Sequence, residues 1–109
     1  MKAVYPCILT QNKEDKCYYA DFPDIQGAST SGADLFEALE MAEDILPLML
    51  IDYEAEHDGH MPPVPTDIHT LELEAGQTAT FLRADTDKYE AEMARIRREK
   101  VYRNGGMKP

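Results

Sequence analysis

The first third of the chain alternates apolar and polar residues, and the breaks in this pattern predict three short strands. Residues 2–11 are typical of a β-strand, and residues 16–22 predict its hairpin partner. Residues 25–32 contain two glycines and predict a tight connection followed by a third strand. Because Pro6 has no amide to donate, we expect the first strand to be an edge strand or a bulged strand.

The spacing of apolar residues then changes to three and four, which predicts a long helix over residues 34–56. Asp34 suits the N-cap position, and Glu37 completes a capping box with it. Pro47 is expected to kink this helix or to break it into two pieces. One apolar stripe is expected to cover a sheet face and contains Leu35, Leu39, Ala42, Leu46, Met49, Leu50 and Tyr53.

A second apolar row widens the helix surface beyond what one small sheet needs. This row contains Met41, Ile45 and Leu48. Two interpretations are open for these three residues. They form a contact between copies of this chain, or the connector at residues 61–75 buries them. We expect the first, and therefore a homodimer or a higher homo-oligomer.

The rest of the chain predicts one more strand and one more helix. A proline-rich connector occupies residues 61–65, and residues 78–84 predict a strand. Thr86 and Asp87 are expected to cap a final helix from about residue 88 to residue 100. The order β-β-β-α-β-α predicts an α+β fold, in which a small antiparallel sheet carries the long helix on one face.

Charge is unevenly distributed along the 109 residues. The chain has 21 acidic and 11 basic residues, for a net charge of −10. Residues 1–94 carry a net charge of −15, whereas residues 95–109 carry +5. The first segment is expected to repel nucleic acid and to attract a basic partner, and the last segment to do the reverse. The simpler interpretation is that an acidic surface only keeps the protein in solution.

The sequence predicts a cytoplasmic protein with free thiols. It has no apolar run of about 18 residues or more, and its start lacks the features of a signal peptide. If Gln11 pairs with Lys16 in the first hairpin, Cys7 and Cys17 are offset by about 10 Å along the strands. That separation is too large for a disulfide, which fits a reducing compartment.

One segment resembles the N-terminal signature of HicB-type antitoxins. An aromatic strand runs into a turn and a Thr-x-Gly, with Glu37-Ala38 opening the helix that follows. Gly59 and the Pro63-x-Pro65 connector also match that family. Gln26 and Ala28 depart from it, since family members usually have proline and often cysteine there. The matching segment reads Tyr18-Tyr19-Ala20-Asp21-Phe22-Pro23-Asp24-Ile25-Gln26-Gly27-Ala28-Ser29-Thr30-Ser31-Gly32.

The resemblance implies a partial ribonuclease-H-like fold and the role of an antitoxin in a type II toxin-antitoxin pair. Such a protein binds and masks a small basic HicA-like mRNA ribonuclease, is not itself an enzyme and needs no cofactor. We expect residues 1–87 to form the HicB-like domain and residues 88–109 a basic C-terminal helix and tail. Family members commonly continue into a DNA-binding unit that this stretch is too short to build, so operator DNA is a doubtful partner. The predicted partner-binding residues are Asp21, Phe22, Pro23 and Asp24.

Two other functions remain open. A stand-alone HicB-like regulatory protein would bind nucleic acid through Arg95, Arg97, Arg98 and Lys100. Those cations would otherwise complement the helix dipole or pair with the acidic surface.

A metal-dependent nuclease would need Asp21, Asp24 and Glu43 to converge on metal ions. We expect neither a catalytic centre nor a metal site. His57, His60 and His69 are interpreted as solvated loop residues.

Overall fold

The computed structural model describes residues 1–101, with the backbone alone for Lys100 and Val101. The order of the elements is the predicted one, and the α+β fold class is confirmed. The elements are β1 (Lys2–Gln11), β2 (Tyr18–Asp21), β3 (Ser29–Gly32), α1 (Leu35–Glu56), a 3-10 turn (Ile68–Thr70), β4 (Gln77–Asp85) and α2 (Thr86–Val101).

The four strands form one antiparallel sheet in the order β3-β2-β1-β4. The long helix α1 packs against one face of this sheet. The core lies between them, where every second residue of each strand points toward the helix. It consists of Tyr5, Cys7, Leu9, Ala20, Phe22, Ile25, Ala28, Ala42, Leu46, Leu50, Leu82 and Ala84.

The first strand is neither an edge strand nor bulged, because β1 lies between β2 and β4 and pairs with β4 without interruption. Pro6 is tolerated because β2 is short: its last residue, Asp21, lies opposite Ile8. The amide of Asn12 donates to the carbonyl of Cys17 on the β2 side. Alternate residues of a strand direct their amides to the same side. The amide that Pro6 lacks would therefore point beyond the end of β2.

The loop of the first hairpin is longer than the sequence pattern predicts, since Gln11 lies opposite Tyr18 and not Lys16. The side-chain oxygen of Asn12 accepts the amide of Glu14 at 2.8 Å, and Lys16 adopts a left-handed conformation with φ of 63°. A shift of two residues keeps every side chain on its predicted face.

Both cysteines are free thiols. Cys7 is fully buried in the core, and burial raises its pKa to about 11. A thiol with so high a pKa is neutral at physiological pH, so Cys7 acts as a small apolar core residue.

Helix α1 is continuous through Pro47, so of the two predicted effects the break does not occur, while a kink stays a prediction. The proline ring removes the amide that would donate to the carbonyl of Glu43, and the helix continues without that hydrogen bond. Asp34 caps the helix as predicted, by accepting the amide of Glu37 at 2.8 Å. Leu35 is the exception in the predicted core stripe, because 42% of its surface is exposed.

The first turn of α1 lies directly on the end of β3 at Gly32. A β-carbon at Gly32 would collide with the backbone of Glu37 and Ala38. Gly32 is therefore required for the close approach of the helix to the sheet.

Strand β4 confirms the strand predicted at residues 78–84, and α2 begins two residues before the predicted start. The cap also differs: the carboxylate of Asp85 accepts the amide of Lys88 at 3.1 Å. The Thr86 hydroxyl instead accepts a hydrogen bond from the N-terminal ammonium of Met1 at 2.6 Å. That contact ties the start of the chain to the β4–α2 junction.

The predicted division between residues 1–87 and 88–109 falls inside α2. Residues 102–109 of the predicted basic tail lie outside the described residues. Among the helices that are described, none has an apolar stretch long enough to cross a membrane.

Replacing Gly32 with alanine is expected to destabilise the fold by about 1–3 kcal/mol, because the helix must move away from β3. Urea denaturation followed by circular dichroism measures the change. Ser31→Ala is the matched control, since Ser31 is exposed on the same strand. Equal stability of the two variants would contradict the tight packing of α1 on Gly32.

Candidate protein-binding surface

Backbone hydrogen bonds and two buried side chains stabilise the turn after β2. The amide of Phe22 donates to the carbonyl of Ala28 at 3.0 Å, and the amide of Ile25 donates to the carbonyl of Phe22 at 3.1 Å. Both Phe22 and Ile25 are buried, and Gly27 supplies the positive φ of 84° that the turn needs. The buried side chains anchor the turn, so its polar residues are presented at a defined position.

Asp24 ties this turn to the connector that follows α1. Its carboxylate accepts the amide of Thr66 at 3.0 Å and also accepts the Thr66 hydroxyl. The Tyr5 hydroxyl donates to the carbonyl of Pro63 at 2.7 Å and holds the same connector. Burial, and then the negative charge of Asp24, raise the pKa of Tyr5. These contacts give Asp24 a structural role within the chain.

The four predicted partner-binding residues therefore differ in their surroundings. Asp21 is exposed on the sheet face opposite α1, where its carboxylate accepts the Ser29 hydroxyl at 2.7 Å. Pro23 is also exposed, whereas Phe22 lies in the core and Asp24 is half-buried against Thr66. Contact of these residues with a partner stays a prediction.

Negative charge is concentrated in the middle of the chain. Residues 17–82 contain 14 acidic residues and neither lysine nor arginine. Helix α1 alone carries seven acidic residues and no basic one. A net charge summed over residues 1–94 does not reveal this segment. The gap between Lys16 and Arg83 was the signal that would have revealed it.

The predicted oligomer surface is partly accessible. Met41 is 38% exposed and Leu48 is 41% exposed, so the connector does not bury them. Ile45 is half-buried and packs against the core. The interpretation that the connector buries this row is therefore wrong for Met41 and Leu48. A contact between copies of the chain stays a prediction.

The basic residues of α2 are only partly free of partners. Arg95 forms ion pairs with Glu92 at 2.5 Å and with Glu99 at 2.6 Å. The hydrogen bond and charge of Arg95 lower the pKa of Glu92. Arg97 and Arg98 are exposed, and the side chain of Lys100 lies outside the described residues. Nucleic-acid binding by this helix stays a prediction.

Asp21, Asp24 and Glu43 are not brought together. Within residues 1–101, no group of three or more His, Cys, Asp or Glu side chains is placed to share a metal ion. His57 stacks on the ring of Tyr53 at a centroid distance of 3.9 Å.

A cleft of about 880 Å³ lies between α1, α2 and the ends of β1 and β4. Its walls include Pro47, Tyr89 and Met93, together with acidic side chains of α1 and both acidic and basic side chains of α2. Sequence reasoning missed this cleft because its lining comes from four separate segments.

Asp24→Asn is expected to destabilise the fold by about 1 kcal/mol, because it weakens two hydrogen bonds that hold Thr66. Thermal and urea unfolding measure the effect. Asp21→Asn is the control, since it makes the same change at an exposed carboxylate of the same turn. A larger effect of Asp21→Asn would contradict the structural role of Asp24.

No family model matches the chain, and no curated protein matches its sequence. Solved structures do resemble it. One chain of a toxin-antitoxin complex from Streptococcus pneumoniae superposes with a TM-score of 0.67 at 24% sequence identity. That match covers 82% of this chain and 73% of the other.

A chain of a HicA3 and HicB3 toxin-antitoxin complex superposes with a TM-score of 0.56 at 21% identity. The match covers 73% of this chain and 95% of the other. Likeness at this level of identity establishes a shared fold. The chain thus has the fold of proteins found in toxin-antitoxin complexes, in agreement with the HicB-type resemblance of its sequence.

Proposed function

We propose that this chain is the antitoxin of a type II toxin-antitoxin pair and masks a small basic HicA-like mRNA ribonuclease in the cytoplasm. The observation that carries the proposal is a cation-free segment, residues 17–82, on a fold shared with chains of toxin-antitoxin complexes. The role is that of a binding protein and not of an enzyme.

Electrostatics explains how such a protein would recognise its target. An enzyme that cuts RNA needs a positive surface for the phosphate backbone. The acidic residues of α1 would attract that surface and exclude RNA from it. Opposite potentials mainly raise the rate of association, while packed contacts slow dissociation.

Two surfaces are candidates for the packed contact. The turn after β2 offers Asp21 and Pro23 on one side of the sheet, and α1 offers its acidic residues on the other. The sequence resemblance favours the turn, whereas the charge distribution favours the helix. Separate variants of the two surfaces distinguish between them.

Binding through a DNA-contacting tail is the second candidate function. Its support is weaker, because Glu92 and Glu99 already neutralise Arg95. The exposed Arg97 and Arg98 remain available to a nucleic acid.

Neutralising the α1 surface with Glu40→Gln, Glu43→Gln and Asp44→Asn is expected to slow association about tenfold at low salt. The partner in this experiment is the short basic protein that we expect the adjacent gene to encode. Stopped-flow kinetics and protection of RNA from cleavage give the two readouts. At about 1 M salt the difference from wild type is expected to vanish, because screening removes the long-range attraction.

The matched control carries the same change of charge outside the cation-free segment, in the first hairpin loop and in α2, as Glu14→Gln, Glu90→Gln and Glu99→Gln. A second comparison, Asp21→Asn with Pro23→Ala, tests the turn and is expected to speed dissociation. Absence of any complex with the basic protein would refute the proposed function. Equal slowing by the control would show that only the net charge matters.

Homo-oligomerisation through the exposed flank of α1 is a further part of the proposal. Met41 and Leu48 supply apolar surface that the described part of the chain, residues 1–101, leaves exposed. Leu48→Lys is expected to convert the oligomer to a smaller oligomer or a monomer, as measured by its mass in sedimentation velocity. Glu40→Lys on the same helix is the control, and an unchanged mass in both variants would rule out this surface.

A further inference from the structure

Strand β4 leaves one long edge of the sheet open. It runs over nine residues, Gln77–Asp85, and within residues 1–101 it pairs only with β1. Proteins usually protect such an edge with proline, charged side chains and above all lysine, a bulge, a very short strand or a covering loop. β4 contains no proline and no lysine, and its pairing with β1 is continuous from Lys2 to Thr10. Its charged residues, Arg83 and Asp85, lie near its C-terminal end, and the 3-10 turn Ile68–Thr70 lies close to the strand.

The free backbone groups on this edge can be assigned. The amide of Gln11 donates to the carbonyl of Gly76, and the amide of Thr86 donates to the carbonyl of Met1. In β4, the backbone groups of even-numbered residues therefore face β1, and those of odd-numbered residues face outward. The outward amides and carbonyls are those of Ala79, Phe81 and Arg83.

The centre of the edge is aromatic and exposed. Phe81 is the middle residue of β4, and 57% of its surface is accessible. Its side chain lies on the face opposite α1, since its neighbour Leu82 is buried in the core. Val4 on the adjacent strand is 49% exposed on the same face.

Charge indicates which partner suits this edge. Arg83 and Asp85 cancel within β4, and Lys2 lies opposite Asp85 on β1. Two copies of a chain with a net charge of −10 repel each other over most of their surface. At the edge of β4, two copies can meet without bringing like charges into contact. A basic partner gains nothing from a neutral edge, so the geometry and the charge both favour a second copy.

We propose that two copies of this chain pair through β4 in antiparallel fashion, with the two-fold axis at Phe81. This register overlaps all nine residues of both strands and joins the two sheets into one of eight strands. Phe81 lies opposite Phe81, Ala79 opposite Arg83, and Gln77 opposite Asp85. The first two are hydrogen-bonded pairs, because each joins two residues whose backbone groups face outward. In the third, the amide of Gln77 already donates to the carbonyl of Glu74, so only the amide of Asp85 and the carbonyl of Gln77 can bond across the axis. In this register the Arg83 side chains of the two copies do not lie opposite each other, where their like charges would be unfavourable.

Amide hydrogen exchange tests the register directly. In a monomer the amides of Thr80, Leu82 and Ala84 are protected, and those of Ala79, Phe81 and Arg83 exchange freely. With rising protein concentration, the second set is expected to slow by about tenfold or more as the dimer forms. Fast exchange of these three amides in a sample shown to be dimeric would overturn the proposal.

Variants on the edge provide the second test. Ala79→Pro removes an outward amide without touching the bonds to β1, and Phe81→Lys places like charges on the axis. Each is expected to raise the dimer dissociation constant about tenfold or more in sedimentation equilibrium. Val4→Lys is the matched control, because it adds the same charge on the same face one strand away from the edge. Circular dichroism confirms that all three variants are folded.

The outcomes separate this dimer from the other associations. A dimer weakened by Ala79→Pro and Phe81→Lys but not by Val4→Lys supports edge pairing. A protein that stays monomeric up to about 1 mM overturns it. Loss of the dimer only on Leu48→Lys assigns association to α1 instead. Protection of Phe81 only after the basic partner is added assigns the edge to that partner. The proposed antitoxin function stands or falls separately, on formation of the toxin complex.

Discussion

Burial of one face of α1 against the sheet is the interaction on which the rest of the structure depends. Leu46 and Leu50 are fully buried in that contact, and they face the core side chains of three strands. At its start the helix approaches β3 so closely that only glycine fits at position 32. Because the helix covers one face, its acidic residues lie on its own outer surface, and the outer edge of β4 is left unpaired. A small domain has one such core, so damage to this contact would affect every other site.

The turn after β2 shows how one motif serves both the fold and a binding surface. Its buried members hold the core, and Asp24 holds the connector through Thr66. Only Asp21 and Pro23 remain accessible to another molecule. A short sequence signature can therefore be required mainly for folding. Its presence identifies the fold more strongly than it identifies the residues that touch a partner.

The acidic surface of α1 and the edge of β4 differ in charge, although both expose apolar side chains. The cation-free segment places acidic side chains over α1 and the connector, while β4 is neutral and carries an exposed phenylalanine. Long-range attraction acts through the first surface, and short-range pairing requires the second to be free of like charge. A small protein can in this way bind a basic molecule and its own copy through different surfaces.

Local patterns in the sequence were enough to predict the element order, the cap at Asp34, the faces of the strands and the acidic character. Each of these depends on neighbours within a few residues, where periodicity and side-chain chemistry act directly. The place of β1 in the sheet, the continuity of α1 through Pro47 and the link from Asp24 to Thr66 were decided by tertiary structure. They depend on how far β2 extends, on the packing of α1 against the sheet and on contacts between residues 42 positions apart. The free edge of β4 is likewise a property of strand order, which no local pattern encodes.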